Sequence, residues 1–266
     1  MKFSLPSIAV ALGALGASAS PVELAARATP TVYLCGDSTM AKNGANDGST
    51  DGWGQYFGTY STATVVNKAI GGRSARSYTA EGRFTEVANL VKSGDIVVIE
   101  FGHNDGGSPE SNDNGRSDCP GAGTETCKSS ADGSTVYTFV YYVSQAAKQM
   151  VAKGATVVLS SQTPNNVWES GSFSYAPPRF VGYVKTAANA IASSSVTYVD
   201  HYNAQTLAYK KLGNSGTNAL YPKDHTHTSP AGAKLAAQAF AQAIASKMNG
   251  TTSLTNYIVS PAPSVY

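Results

Sequence analysis

Thr31-Val32-Tyr33-Leu34-Cys35-Gly36-Asp37-Ser38-Thr39-Met40 is the stretch on which the reading of this chain turns. β-Branched, aromatic and aliphatic residues run without polar interruption into Gly-Asp-Ser-Thr, the pattern of a buried parallel strand that ends in a tight turn. Open α/β sheets bind ligands beyond the carboxyl ends of their strands, so the turn puts the Ser38 hydroxyl where a nucleophile is useful. On its own, a serine there equally serves to satisfy turn amides. A base and an oxyanion site elsewhere in the chain decide between the two.

Four more short runs rich in Val and Ile read as strands: 64–70, 95–101, 155–161 and 196–200. Helices are expected between them at 53–60, 81–92, 137–153, 179–192 and 203–211. A last helix follows Ser229-Pro230, with Ser as N-cap and Pro in the first turn. This alternation predicts an α/β fold, a parallel sheet covered on both faces. Residues 104–134 form a long polar insertion after the third strand, where such folds build specificity.

The chain starts with Met1-Lys2, an apolar run over 8–15 and Ala17-Ser18-Ala19, the form of a secretory signal. Residues 1–19 are therefore expected to be a signal peptide, 20–28 a leader, 29–250 one domain and 251–266 a tail. The expected product is secreted, soluble and monomeric. A net charge of +2 with 14% charged residues provides no basic stripe, so no nucleic-acid partner is expected, and the apolar run is too short to span a membrane.

Cys119 and Cys127 bracket a short loop with Pro and Gly and are expected to pair; a ring that small contributes about 2.5 kcal/mol if unstrained. Cys35, inside the first strand, reads as a buried hydrophobe.

The histidines are His103, His201, His225 and His227. Asp224 stands three residues before His227, so in a turn one carboxylate can orient the imidazole while its far nitrogen faces outward. The same aspartate could simply cap a turn. His225-x-His227 resembles half a zinc site, but no further ligands cluster with it, so neither metal nor cofactor is expected. Oxyanion donors are offered by Gly71-Gly72-Arg73-Ser74 and Gly102-His103-Asn104-Asp105: the Gly72 N–H, the Asn104 amide and the Ser38 N–H itself.

Gly36-Asp37-Ser38, Gly72, Gly102-x-Asn104-Asp105 and Asp224-x-x-His227 fall in the order and approximate spacing of the four blocks of the SGNH (GDSL-type) hydrolases. The surrounding strings YLCGDSTMAKNG, GGRSARSY, EFGHNDGG, LSSQTPNN and DHTHTSPAG resemble the fungal rhamnogalacturonan acetylesterases of that family, over about residues 31–248. The resemblance implies a flavodoxin-like three-layer α/β/α sandwich on a five-stranded parallel sheet, and hydrolysis of acetyl esters on the rhamnogalacturonan backbone of pectin. It implies Ser38 as nucleophile, His227 as base, Asp224 as its orienter, and Ser38, Gly72 and Asn104 as the oxyanion hole. An acetylxylan esterase, another GDSL-type esterase or lipase, and a non-catalytic carbohydrate-binding protein are the alternatives. The polar loops offer no apolar lid of the lipase kind, and no G-x-S-x-G elbow is present.

Two further expectations concern the surface. Asn249-Gly250-Thr251 is the one N-x-S/T sequon, making Asn249 the expected glycosylation site. An acidic polysaccharide needs local cations, and Arg73 and Arg76 beside the Gly72 loop, with Lys42 and Arg83 nearby, are the expected carboxylate contacts. The competing reading makes both arginines internal ties for their own loop.

Overall fold

The computed structural model describes Met1 and residues 29–266, so the signal and leader expectations fall on residues 2–28, outside the described ones. Seven strands occur among the described residues: β1 Thr31–Gly36, β2 Thr64–Asn67, β3 Ile96–Glu100, β4 Thr126–Lys128, β5 Thr135–Tyr137, β6 Thr156–Ser160 and β7 Val196–Val199. Five of them form one parallel sheet in the order β2-β1-β3-β6-β7, and β4 and β5 make a separate antiparallel hairpin. Counted along the sheet this is the flavodoxin-like order, which reverses direction between β1 and β3.

Alternation along each strand sends side chains to two cores. Tyr33, Cys35, Val97, Ile99, Val157 and Leu159 face one, while Val32, Leu34, Ile96, Val98 and Val158 face the other. The first is covered by α1 Ala75–Ala80, α2 Arg83–Leu90, α3 Phe139–Ala152 and α4 Arg179–Ile191. The second is covered by α5 His201–Asn218, α6 Pro230–Ala245 and two 3-10 turns at Trp53–Gln55 and Phe57–Tyr60. With apolar cover on both sides the central strands carry no polar face; all of β3 is buried.

Local chemistry sets the helix ends. Ser74 caps α1 in a reciprocal capping box with Ser77, Thr138 caps α3 and Ser229 caps α6 ahead of Pro230. Residues 53–60 do not form the single helix expected. A Cβ on Gly54 would stand 2.7 Å from both the Met40 carbonyl oxygen and Asn67 Nδ2, so this segment is pressed against the β1 turn in two tight 3-10 steps. The helix expected at 81–92 forms as α2, starting at Arg83 because Gly82, at φ 73°, is its N-cap.

Beneath the carboxyl ends of the sheet lies a buried polar network. Glu100 accepts from Trp53 Nε1 at 2.8 Å and from Ser160 Oγ at 2.6 Å, and its Oε2 lies 2.9 Å from His201 Nδ1. His201 Nε2 in turn donates to the Ala236 carbonyl at 2.9 Å.

Within the polar insertion, Cys119 and Cys127 form a disulfide with Cα atoms 5.6 Å apart, tying β4 to the approach of α3; Cys35 is a buried free thiol. Residues 251–266 pack on the second core: Leu254 is fully buried, and Thr62 N–H donates to the Tyr257 carbonyl at 2.7 Å.

Candidate active site

Ser38 follows β1 directly. Asp37 folds the turn by accepting from Thr39 N–H at 2.9 Å and Thr39 Oγ1 at 2.8 Å, while its carbonyl accepts from Ala41 N–H at 2.9 Å. Gly36 is needed because any Cβ there would stand 2.7 Å from Met40 Sδ and 2.8 Å from the Glu100 carbonyl. The turn aims the Ser38 hydroxyl at His227, with Oγ 2.8 Å from Nε2. His227 Nδ1 lies 2.8 Å from Asp224 Oδ2, and Asp224 Oδ1 accepts from the Thr226 and His227 N–H groups at 2.7 Å each. One carboxylate thus closes its own turn and orients the ring three residues on. Burial pushes the Asp224 carboxyl up, but the bonds from the His227 and Thr226 amides and the His227 ring outweigh it and hold the group below the ordinary aspartate range.

The loop carrying this pair is pinned from three sides. Thr228 O accepts from Asp51 N–H at 2.9 Å, His225 O from Asn166 N–H at 2.8 Å, and Ser229 N–H donates to Leu220 O at 2.7 Å. His103, His201 and His225 are all engaged elsewhere: His103 with Thr163 and Gln162, His201 in the core, and His225 with Glu169 at 3.3 Å. Among the described residues no three metal-capable side chains gather.

Ser38, Gly71, Gly72, Asn104 and His227 line one cavity of about 300 Å³, with Gly44, Ala45 and Asn46 opposite. Gly72 has φ 75°, a conformation glycine alone adopts freely, and among the described residues neither its N–H nor that of Ser38 finds an acceptor. Asn104 donates one Nδ2 hydrogen to the Arg73 carbonyl at 3.1 Å, which fixes the amide and leaves its second hydrogen free. Three unspent N–H donors therefore surround the hydroxyl, a geometry able to stabilise charge developing on an acyl oxygen.

Asp105, the last residue of the third block, carries no role in the sequence reading. Its Oδ1 accepts from Ala75 N–H at 2.7 Å, anchoring the start of α1 and so the Gly72 loop before it. Asp118 lies close enough to feel its charge, and both carboxyls are buried. Burial, with the neighbouring Asp105 charge, pushes Asp118 well above the aspartate range; burial also pushes Asp105 up to about 7. Folded values above the unfolded value of about 3.9 make this contribution fully present below that pH and lost as pH rises through the folded value. Asp118→Asn should therefore lose less melting temperature than the parent between about pH 5 and about pH 8. Equal slopes would show that the Asp118 carboxyl is not raised by its surroundings.

The arginines expected to meet substrate are otherwise engaged. Arg76 makes a paired contact with Asp113, at 2.8 and 2.7 Å, and donates to Ser117 O at 2.8 Å, its side chain only 13% exposed. Arg73 donates to Glu81 at 3.0 Å and to Gly71 O at 3.0 Å. Both tie the oxyanion loop to its surroundings, the arrangement that the competing reading of these arginines describes. Arg76→Ala should destabilise the fold by about 2 kcal/mol, less than the about 3–5 kcal/mol of a fully buried pair because water reaches this one. Urea unfolding measures it, and an unchanged midpoint with a raised KM for acidic polymer alone would return Arg76 to the substrate side. The guanidinium that does reach the cavity wall is Arg116, whose Nη1 lies 3.5 Å from Asn104 Oδ1; it sits in the polar insertion, where no local pattern marked it.

Comparison with known proteins agrees with this geometry. A model of the GDSL-like Lipase/Acylhydrolase family matches residues 34–235. A rhamnogalacturonan acetylesterase from Emericella nidulans is 53% identical over 216 residues, covering 80% of this chain and 84% of that protein. The rhamnogalacturonan acetylesterase RhgT of Bacillus subtilis is 42% identical over 76 residues, 28% of this chain and 33% of the relative. Among solved structures, YxiM of Bacillus subtilis superposes with TM-score 0.64 at 24% identity, over 83% of this chain and 57% of that one. Axe2 of Geobacillus stearothermophilus, an acetylxylan esterase, does so with TM-score 0.51 at 19% identity, over 80% and 93%. At those identities the two structures speak for the fold alone. With the block residues gathered at one sheet edge and the family model spanning most of the chain, this protein belongs to the GDSL-like lipase/acylhydrolase family.

Proposed function

We propose that this chain is a serine esterase that removes acetyl groups from the rhamnogalacturonan backbone of pectin. The observation that carries the chemistry is the Ser38–His227–Asp224 relay, with 2.8 Å at each step, facing three free N–H donors. The substrate class rests on the 53% identical rhamnogalacturonan acetylesterase.

Ser38 Oγ attacks the acetyl carbonyl as His227 Nε2 takes its proton. Asp224 keeps Nδ1–H as donor and offsets the imidazolium charge. Negative charge gathers on the former carbonyl oxygen, where the N–H groups of Ser38 and Gly72 and the Asn104 amide receive it. His227 then returns its proton to the sugar oxygen, which leaves. Water, activated by the same imidazole, releases acetate from the acetyl-enzyme.

Acetate release from acetylated rhamnogalacturonan against acetylated xylan tests the reading; faster release from xylan would favour the acetylxylan alternative. Asn104→Ala should lower kcat about 10²–10³-fold, the usual effect of losing one oxyanion donor. A full rate in that variant would remove Asn104 from the hole.

The product works as a secreted monomer, with the 1–19 segment as its signal. No helix among the described residues is long and apolar enough to cross a membrane. Asn249 is the glycosylated residue: it is exposed, and its Oδ1 is held by Asp200 N–H at 2.8 Å, which leaves Nδ2 to carry a glycan.

A further inference from the structure

We infer that the cavity beside the triad is a uronosyl subsite, seating one acidic sugar ring of the polymer with its carboxylate toward Arg179. The inference rests on the polysaccharide-esterase reading and names where the chain next to the acetylated sugar would lie.

This cavity, about 350 Å³, is distinct from the one that holds Ser38. It nevertheless adjoins the same machinery. Gly102 and His103 on one wall lead into Asn104. Asn165 and Asn166 on the other are bonded to the triad loop, Asn165 Oδ1 accepting from Thr226 Oγ1 at 3.1 Å and Asn166 N–H donating to His225 O. A polymer lying across the triad would therefore meet it with a neighbouring sugar.

Its walls suit a pyranose. Amides and an imidazole can bond ring hydroxyls, while Val167 and Phe180 offer apolar surface to C–H faces; a fatty acyl chain would leave those amides unpaired. Gln162 is 5% exposed and donates to His103 Nδ1 at 3.3 Å, and its Oε1 has no donor among the described residues. A buried polar atom of that kind calls for a partner, and a bound hydroxyl can be that partner.

Charge selects the kind of sugar. Of the described arginines, Arg73, Arg76 and Arg83 are paired with carboxylates, whereas Arg116 and Arg179 are exposed with no carboxylate partner; Arg116 stands beside Asn104 of the Ser38 cavity, and Arg179 beside this one. The Arg179 guanidinium lies 4.8 Å over the Phe180 ring, and a Cβ on Gly106 would stand 3.8 Å from its Nη2; Phe180 and Gly106 both line the cavity. Asp118, which senses the Arg179 charge, is buried beside Asp105 and makes no ion pair with this guanidinium. Arg179 also opens α4, whose cap Pro178 supplies no side-chain acceptor and whose first turn has no acid. Free amides and a free guanidinium thus meet at one mouth, an arrangement suited to a carboxylate.

The test uses Ser38→Ala protein, which cannot turn over, titrated calorimetrically with unacetylated rhamnogalacturonan oligosaccharide and with the same oligosaccharide after carboxyl reduction. The acidic form should bind at least about tenfold tighter, with the gap shrinking as salt is added. Adding Arg179→Gln should erase that gap, and adding Arg83→Gln should not. Equal affinity for the two ligands, no binding of either, or a gap that survives Arg179→Gln overturns the subsite. The esterase reading is judged separately, by acetate release from the unmutated enzyme. Acetate released with no Arg179-dependent gap sinks the subsite alone; a gap without acetate release leaves the subsite standing and sinks the esterase reading.

Discussion

Ser38→Ala should lower kcat for acetyl ester hydrolysis by about 10⁴–10⁶ while leaving the melting temperature within about 2 °C of the parent. The size follows from the relay acting as a unit: without the hydroxyl, His227 has no proton to accept and no acetyl-enzyme forms. What remains is water attack assisted by the oxyanion donors, which persist because the Ser38 and Gly72 N–H groups belong to the backbone. Stability should hold because Ser38 Oγ meets only His227, on a loop that other bonds already pin. His227→Ala should fall as far, and the double variant little further, since each loss disables the same step. p-Nitrophenyl acetate and acetylated polymer should show the same loss, as the missing group acts on the acyl carbon common to both. A Ser38→Ala enzyme retaining a tenth of its rate would mean that another nucleophile carries the reaction.

The sequence makes some of this arrangement legible and hides the rest for physical reasons. Strands β1, β3 and β6 are buried on both faces, so their Val and Ile runs stand out without a polar register to confuse them. β2 ends at Asn67, three residues short of expectation, although Lys68 and Ile70 N–H still bond to Leu34 O and Gly36 O of β1 before the chain turns into the Gly72 loop. No helix is expected over 75–80, because the six-residue α1 is too short to show periodicity and its start is held by Asp105, thirty residues away. The Ser38, His227, Asp224 and Asn104 positions could be read because each block carries its own local turn. Arg76 could not, since its partner Asp113 lies 37 residues on in an insertion with no period. In the same way, the exposed Arg116 and Arg179 differ from Arg83 only in what surrounds them. α5 runs on to Asn218, past the expected end at 211, by resuming after Gly213, whose φ of 79° interrupts it.

The largest effect on stability should come from a residue outside the relay. Glu100 ends β3 opposite Gly36, one residue before the Asp37-Ser38 turn, and is 1% exposed. Three side chains converge on its carboxyl: Trp53 from a 3-10 turn, Ser160 from the end of β6 and His201 from the start of α5. Each comes from a different element, so the carboxyl joins the sheet edge to its cover on the second face. His201 contacts oxygen through both ring nitrogens and packs edge-on to Trp53 with centroids 5.1 Å apart. Glu100→Leu would leave the Trp53 N–H, the Ser160 hydroxyl and the His201 ring facing a methyl group. The cost should be about 3–5 kcal/mol, since three buried polar groups lose their common acceptor at about 1–3 kcal/mol each. Glu100→Gln, which keeps one acceptor oxygen, should cost less, and His201→Phe, which removes ring polarity but leaves Glu100 two donors, should fall between. Urea midpoints would give the order. If Glu100→Leu lowered stability by less than about 1 kcal/mol, apolar packing alone would be holding the edge on which Ser38 sits.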